Sequence, residues 1–485
     1  MSKFVYDFIQ SLSMREKAYF KRFANTYSEN KGKNYLRLYQ ALEHQPMYDA
    51  ENLKQQFEGE KLGQHLSSES DYLLEQLLRS LVNFHTDGSS YQKLIKYTLF
   101  INILMEKGFR HKALKVLRKA KKLAYRTEEF TVVLKLIQQE EEILFREGIL
   151  NFTSNLKQLK EERIRVNLQI QNLSELRLLR EQARELQFTE SFVTDPYKFK
   201  HIFFNPIMES EDNALSISAK EHWLYVHETC LYLTRQYEKG QRASGRFVEF
   251  MEQNTHLIKR SKIQSTLSNY LLFSALLGDE TAFEKTLPKL DKMLSESPLD
   301  TNYILFIKYS RLFELYYRKE NLNAVKDLEQ VAGDFIQRQY KLMGETQVNY
   351  MLMLLTRACM EMGDFEKASD WLNFWNRVEP LDYTLIHNRL FALIIYYELG
   401  WHSLLEAELA SAYKTLRNRK KYDRLAANFI LFFKKYLKNP NGLPDALKEL
   451  EYELAQIKTS PEENKAFVYY DFWKWCARKQ NNLQH

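Results

Sequence analysis

The chain has 485 residues, 45% of them apolar and 14% aromatic, enough to bury a sizeable core. Its 14 Gly and 9 Pro are too few for a fold built on turns, so a loop-rich or β-rich protein is excluded and a mostly helical one is predicted. The 70 basic and 63 acidic residues leave a formal charge of +7, which permits acidic partners without demanding them.

Residues 1–90 read as a small helical domain. The opening MSKFVYDFIQSLSMREK carries Asp7 inside its short apolar run and has no small-residue cleavage site, so it does not read as a signal peptide. Ser13-Met14-Arg15-Glu16 is a capping box ahead of a helix whose face is Ala18, Tyr19 and Phe23. Helices follow over 34–42 and 49–57, the second capped by Asp49. Gly59 and Gly63 then break the chain before a fourth helix over 70–84, with Leu73, Leu77, Leu81 and Phe84 at helical spacing. The order fits a helix-turn-helix or winged-helix topology. A recognition helix, however, offers basic and polar side chains from its first turns, whereas this one begins at Asp71, carries Glu75 and holds a single cation, Arg79. The connection over 58–68 also exceeds the roughly 3–4 residues of that motif's turn. The domain is read as a structural cap, with nucleic-acid binding as the disfavoured alternative.

From Tyr91 onward helices come in pairs. A helix over 91–107 ends at Gly108, and the next, RHKALKVLRKAKKLAYR over 110–126, holds eight Lys or Arg and no acid. Leu114, Leu117, Ala120 and Ala124 form its inner face, while Lys112, Lys115, Lys119, Lys122 and Arg126 make a basic stripe at i+3/i+4 steps. Such a stripe attracts phosphates or acidic peptides without reading a code. The small net charge favours the simpler reading, a solvated helix face paired with Glu140, Glu141 and Glu142. A helix over 129–146 and Gly148 come next. A continuous helix over 154–187 would span about 51 Å, with Lys157/Glu161 and Glu161/Arg165 pairs along it and Ser174 as the alternative start of a new helix after a bend. Residues 192–208, with Asp195-Pro196, Asn205-Pro206, Tyr197, Phe199, Phe203 and Phe204, are the most loop-like stretch and the expected joint between two halves, packed by its aromatics.

Beyond that joint the clearest stretch is EMGDFEKASDWLNFWNRVEP, residues 361–380. Gly363 allows a left-handed turn between antiparallel helices, Asp364 caps the second, Ala368 is small enough for close packing, and Leu372 and Trp375 share its face. Gly363-Asp364-Phe365-Glu366-Lys367-Ala368, closed by Pro380, resembles the second half of a tetratricopeptide repeat, in which a GDYxEA segment joins helix A to helix B. The match is good at Gly108, Gly363 and Gly400. Turns at Gly240, Gly278, Asn321, Gly363 and Gly400 are about 40 residues apart, and Asn439-Pro440-Asn441-Gly442 opens a last unit. At Gly240 the expected small residue is Gly245 and at Gly278 it is Phe283, so the repeats are degenerate, with a period above the family's roughly 34. The predicted fold class is all-α: an α-solenoid of tetratricopeptide-like helical hairpins with a small N-terminal helical domain. Its parts are that domain (1–90), first repeats with a long helix (91–190), the joint (191–215) and the C-terminal solenoid (216–485).

The candidate chemistry is sparse. His222, His227 and Cys230 are the one dense group of metal-ligand types, but they lack the i,i+4 histidine pair of HExxH and read as core or surface residues. Cys230, Cys359 and Cys476 lie far apart with no CxxC, which fits a reducing compartment. No phosphate loop, dinucleotide fingerprint or nucleophile elbow occurs, so no catalytic residue, cofactor or metal is assigned. A basic cluster, Arg417-Asn418-Arg419-Lys420-Lys421 with Arg424, complements a helix C-terminal dipole. No apolar run reaches the roughly 18 residues of a membrane span, so no membrane partner is expected and the location is read as cytoplasmic. What the resemblance implies is a concave groove lined by the first helix of each hairpin, holding a protein or peptide. Its candidate residues are Tyr309, Tyr316, Asn349, Arg357 and Arg389. The alternative is a nucleic-acid-associated regulator with an N-terminal binding module and a repeat sensor.

Overall fold

A computed structural model describes residues 3–26, 34–85, 89–147, 152–190, 192–296, 301–381, 384–417, 424–460, 463, 467 and 470–484. The described residues contain helices and turns but no strand, so the fold is all-α. The chain divides into two compact units, residues 1–171 and 172–485.

The first unit opens with α1 (Lys3–Ser11), α2 (Met14–Thr26), α3 (Asn34–His44), α4 (Ala50–Gln56), α5 (Lys61–Gln64) and α6 (Leu66–His85). Their shared core includes Ile9, Phe20, Leu38, Leu53, Leu73 and Leu77. The capping box forms: Ser13 N–H donates to Glu16 at 2.8 Å and Glu16 N–H to Ser13 Oγ at 3.3 Å. The buried face of α2 is not the expected Ala18, Tyr19 and Phe23 but Phe20 and Ala24. Ala18 is exposed, and the two aromatics flank the core half-buried, Tyr19 against Phe84 of α6 at 5.1 Å. Asp49 caps α4, accepting from Asn52 N–H at 3.0 Å. Helix α6 starts four residues before the expected position, and the connection ahead of it holds the single turn α5 instead of a tight corner.

Next come α7 (Ser90–Glu106), α8 (Arg110–Arg126), α9 (Phe130–Glu147) and α10 (Phe152–Thr189), with α7 packed on α8 and α8 on α9. The inner face of α8 is buried as expected, through Ala113, Leu114, Leu117, Ala120 and Ala124. Helix α10 runs unbroken for 38 residues, without a new start at Ser174, and the division between the units falls inside it. Glu162, next to the expected Glu161, is the residue that pairs: it accepts from Lys121 at 2.7 Å and from the Tyr125 hydroxyl at 2.6 Å. Gly148 lies outside the described residues.

In the second unit, residues 192–215 form α11 (Lys200–Phe203) and three short 3-10 turns. Val193 N–H donates to Leu233 O at 2.7 Å, and Trp223 Nε1–H to Ile207 O at 3.1 Å. Phe199 and Phe203 join the core, whereas Tyr197 and Phe204 stack on each other in solvent at 4.8 Å. The helices that follow are α12 (Ile217–Leu233), α13 (Tyr237–Gln253), α14 (Arg260–Leu277), α15 (Glu280–Glu296), α16 (Thr301–Arg318), α17 (Leu322–Gln339) and α18 (Glu345–Met362). The last are α19 (Phe365–Arg377), α20 (Leu385–Glu398), α21 (His402–Arg417), α22 (Arg424–Lys438), α23 (Leu443–Thr459) and α24 (Phe472–Gln484). Each helix from α12 to α24 packs on the next, and α14, α16, α18, α20 and α22 also touch one another in turn.

One turn chemistry recurs. Arg235, Gly278, Glu320, Gly363 and Gly400 all have φ between 52° and 76°, and the next residue's N–H reaches back five positions, as Asp364 does to Cys359 O at 2.9 Å. This is the Schellman ending, which satisfies the last carbonyls of one helix while the chain turns into the next. Gly108 and Glu128 end α7 and α8 in the same way. After Gly363, Asp364 caps α19 and Ala368, Leu372 and Trp375 are buried together, as expected. Gly240 is a correction. The turn is at Arg235, and Gly240 lies five residues later inside α13, where Ala368 lies after Gly363. A Cβ there would be 2.2 Å from the Phe273 ring, so Gly240, not Gly245, is the small residue of that pair.

Candidate functional site

Helix α24 carries a feature that sequence reading missed. Phe472, Trp475 and Cys476 occupy i, i+3 and i+4 and are all buried, the spacing that could have revealed the helix. A helix continuing the packing order would meet only α22 and α23. Helix α24 does pack on α23, yet its polar partners lie 77, 117 and 154 residues back. Trp475 Nε1–H donates to Glu398 at 2.8 Å, Arg478 Nη2 to Glu361 at 3.3 Å and Lys474 Nζ to Glu320 at 2.8 Å. Lys479 pairs with Glu398 as well. The three carboxylates stand at, or within two residues of, the C-terminal ends of α16, α18 and α20. Phe429 at 5.8 Å and Tyr397 at 6.1 Å flank the Trp475 ring. Helix α24 therefore lies back across the ends of successive hairpins, and Lys474 holds the Glu320 carboxyl below its ordinary range by hydrogen bonding.

The five residues expected to line a groove scatter. Asn349 is 1% exposed and works as an internal hub, its Oδ1 accepting from Trp375 Nε1–H at 2.8 Å and Leu381 N–H at 3.0 Å. Arg389 makes a two-pronged pair with Glu408 at 2.9 and 3.0 Å, joining α20 to α21. Tyr309 packs edge-on against Phe335 of α17 at 5.5 Å, and Tyr316 is half-buried in the core. Arg357 stacks over Tyr317 at 3.8 Å, and its charge acts on Tyr470, which leads into α24.

A second polar array joins α10, α12, α14 and α16. Arg180 donates to Glu221 at 2.8 Å, Lys262 pairs with the same carboxylate, Asn269 donates to Glu228 at 2.9 Å and Arg311 to Ser268 Oγ at 3.2 Å. Each pair is 41 to 43 residues apart, the interval between successive turns. Burial pushes the Glu228 carboxyl up to about 7 and His222, beside Arg180 at 3.0 Å, down to about 4. His227 instead stacks on Trp223 at 4.9 Å, and burial raises the Cys230 thiol to about 12. These three residues thus serve different contacts. Among the described residues no group of three or more His, Cys, Asp and Glu is placed to hold a metal ion.

On α8, Lys112, Lys115, Arg118, Lys119, Lys122 and Arg126 are exposed. The carboxylates expected to neutralise them are engaged elsewhere. Glu140 takes Lys121 at 2.7 Å, Glu141 takes Arg163 and Glu142 takes Arg146 at 2.6 Å. Lys119 lies over the Tyr97 ring at 5.5 Å, and none of the six has an acidic partner among the described residues. In the cluster near 420, residues 418–421 lie outside the described residues, and Arg424 pairs with Glu453 at 2.7 Å and Glu463 at 3.0 Å.

A cleft of about 1130 Å³ between α3 and α4, lined by Gln40, His44, Met47, Asp49 and Glu51 among others, opens to solvent. Arg37 at its edge is already paired with Glu60. No described helix is long and apolar enough to cross a membrane. The sequence matches no family model and no curated protein.

Proposed function

We propose that the chain is a non-enzymatic scaffold: an α-solenoid of tetratricopeptide-like hairpins whose concave helical face holds a partner protein or peptide in the cytoplasm. The carrying observation is α24, a helix seated across the ends of α16, α18 and α20 by an indole and three cations. An array that receives one helix in this way has the shape and charge to receive others, the helix-in-groove mode of recognition. The recurring 41- to 43-residue contacts support a stacked repeat, and three unpaired cysteines fit a reducing compartment.

The test is capture from native extract at low and high salt, with and without nuclease, alongside Ser265→Arg on the exposed side of α14. A protein retained through salt and nuclease but lost with the variant supports the reading. Loss of every protein partner with nuclease refutes it.

A second reading has its own observation. The six exposed cations of α8 lack the carboxylates that would make them an ordinary solvated face. They favour contact with a polyanion such as a nucleic-acid backbone, with steep salt dependence as its mark.

A further inference from the structure

We infer that α24 is a resident ligand: it fills a helix-docking surface made by α22 and α23 together with the C-terminal ends of α16, α18 and α20, and the partner this surface takes is a helix bearing the same face, an indole with cations at i−1, i+3 and i+4. The inference rests on the scaffold reading and names the partner's chemistry.

The first argument is charge. Glu320, Glu361 and Glu398 stand at helix C-terminal ends, where the macrodipole already places negative charge and where cations are the stabilising residues. Left empty, the surface would present three carboxylates beside three dipole ends of the same sign. Lys474, Arg478 and Lys479 supply the missing charge, and Trp475 supplies the apolar anchor.

The second argument is graded attachment. The Glu398 side chain is 6% exposed and holds both Trp475 and Lys479, a desolvated anchor of the kind that dominates interfaces. Arg478 and Lys474, one residue before Lys479 and Trp475, add pairs of decreasing burial, to Glu361 at 12% exposure and to Glu320 at 75%.

The third argument is tether length. Helix α23 ends at Thr459 and α24 begins at Phe472, and the residues between them reach about 40 Å when extended. To leave, α24 withdraws Phe472 and Trp475 from Phe429 of α22, Cys476 from Leu447 O of α23 and Tyr470 from Phe391. A partner helix then competes with a tethered one, whose effective concentration is on the order of millimolar.

Hydrogen exchange on the intact wild-type chain gives the first readout. The α24 amides are expected to exchange as a group ahead of those of α20 and α22. The second readout uses a labelled synthetic peptide with the sequence of residues 470–485, added to the full chain carrying Arg478→Glu and Lys479→Glu. It is expected to bind that chain at least tenfold more tightly than wild type, and to lose binding when Glu361→Lys and Glu398→Lys are added. Exchange of α24 in step with α20 and α22 overturns the inference yet leaves the scaffold reading standing, since the capture experiment with Ser265→Arg probes α14 instead. Early exchange without peptide binding overturns it too.

Discussion

Glu228→Gln separates buried charge from buried shape. Glu228 is 2% exposed on α12; one carboxylate oxygen accepts from Asn269 at 2.9 Å, and the other faces the Ser244 hydroxyl without a hydrogen bond. Burial holds this carboxyl at about 7, against 4.5 in the unfolded chain. The folded state therefore binds the proton more tightly than the unfolded state. Its stability is complete below about pH 4.5 and falls as pH rises toward 7. At about 1.4 kcal/mol per tenfold difference, ionising Glu228 removes roughly 3 kcal/mol between those limits. Glutamine keeps the shape and a hydrogen bond to Asn269 but does not titrate. The two proteins should melt nearly together at pH 4.5, and the variant should melt about 5 °C higher at pH 8.5. His222 titrates in the opposite sense, losing stability as pH falls from 6.5 toward 4, but it is common to both proteins and cancels in the difference. Melting curves by circular dichroism across that range are the assay. A gap of constant size from pH 4.5 to 8.5 would refute the reasoning, because an effect of packing alone has no pH dependence.

Two glycines should fail for different reasons. Gly363→Ala meets no atom within 4 Å and should lose only the backbone cost of a left-handed turn, about 1–2 kcal/mol by urea denaturation. Gly240→Ala drives a Cβ into Phe273 and should be rescued by Phe273→Leu, whereas Gly363→Ala should not be. Asn349→Leu leaves the Trp375 indole N–H buried without its acceptor and should destabilise by about 3 kcal/mol, read as a lower melting temperature with a shifted tryptophan emission. Changing Lys115, Lys119 and Lys122 together to Glu should leave melting unchanged, because all three are exposed, but should lower the salt needed to elute the chain from a heparin column.

The features legible in the sequence are those with local causes. Helix α8 spans the predicted residues because its buried alanines and leucines repeat within the helix itself. Gly108, Gly278, Gly363 and Gly400 announce their turns because glycine favours positive φ. Glu128, Arg235 and Glu320 make the same turn without glycine, so glycine placement alone puts the Arg235 turn at Gly240, five residues late. Asn349 looked like a groove residue because polarity within a helix does not say which side is buried; its partners Leu381 and Thr384 lie beyond the next helix. The docking of α24 was illegible for the plainest reason. Its pairs span 77 to 154 residues, and no local pattern carries that information.

Glu320 joins the turn chemistry to the docking of α24. It adopts φ 52° where glycine serves after α14, α18 and α20, so as a turn residue it is the poorer choice. Its carboxylate, however, pairs with Lys474 of α24. One position thus trades backbone comfort for a contact 154 residues away. Glu320→Gly should pull these two apart: the turn relaxes while Lys474 of α24 loses its partner. The expected result is a melting temperature that holds or rises, together with faster hydrogen exchange confined to α24. Lys474→Glu should reproduce the faster exchange without the gain in melting temperature, because it leaves the turn untouched. If Glu320→Gly lowered melting and left α24 exchange as it was, the carboxylate would be supporting its own hairpin, and the link between turn and docked helix would be broken.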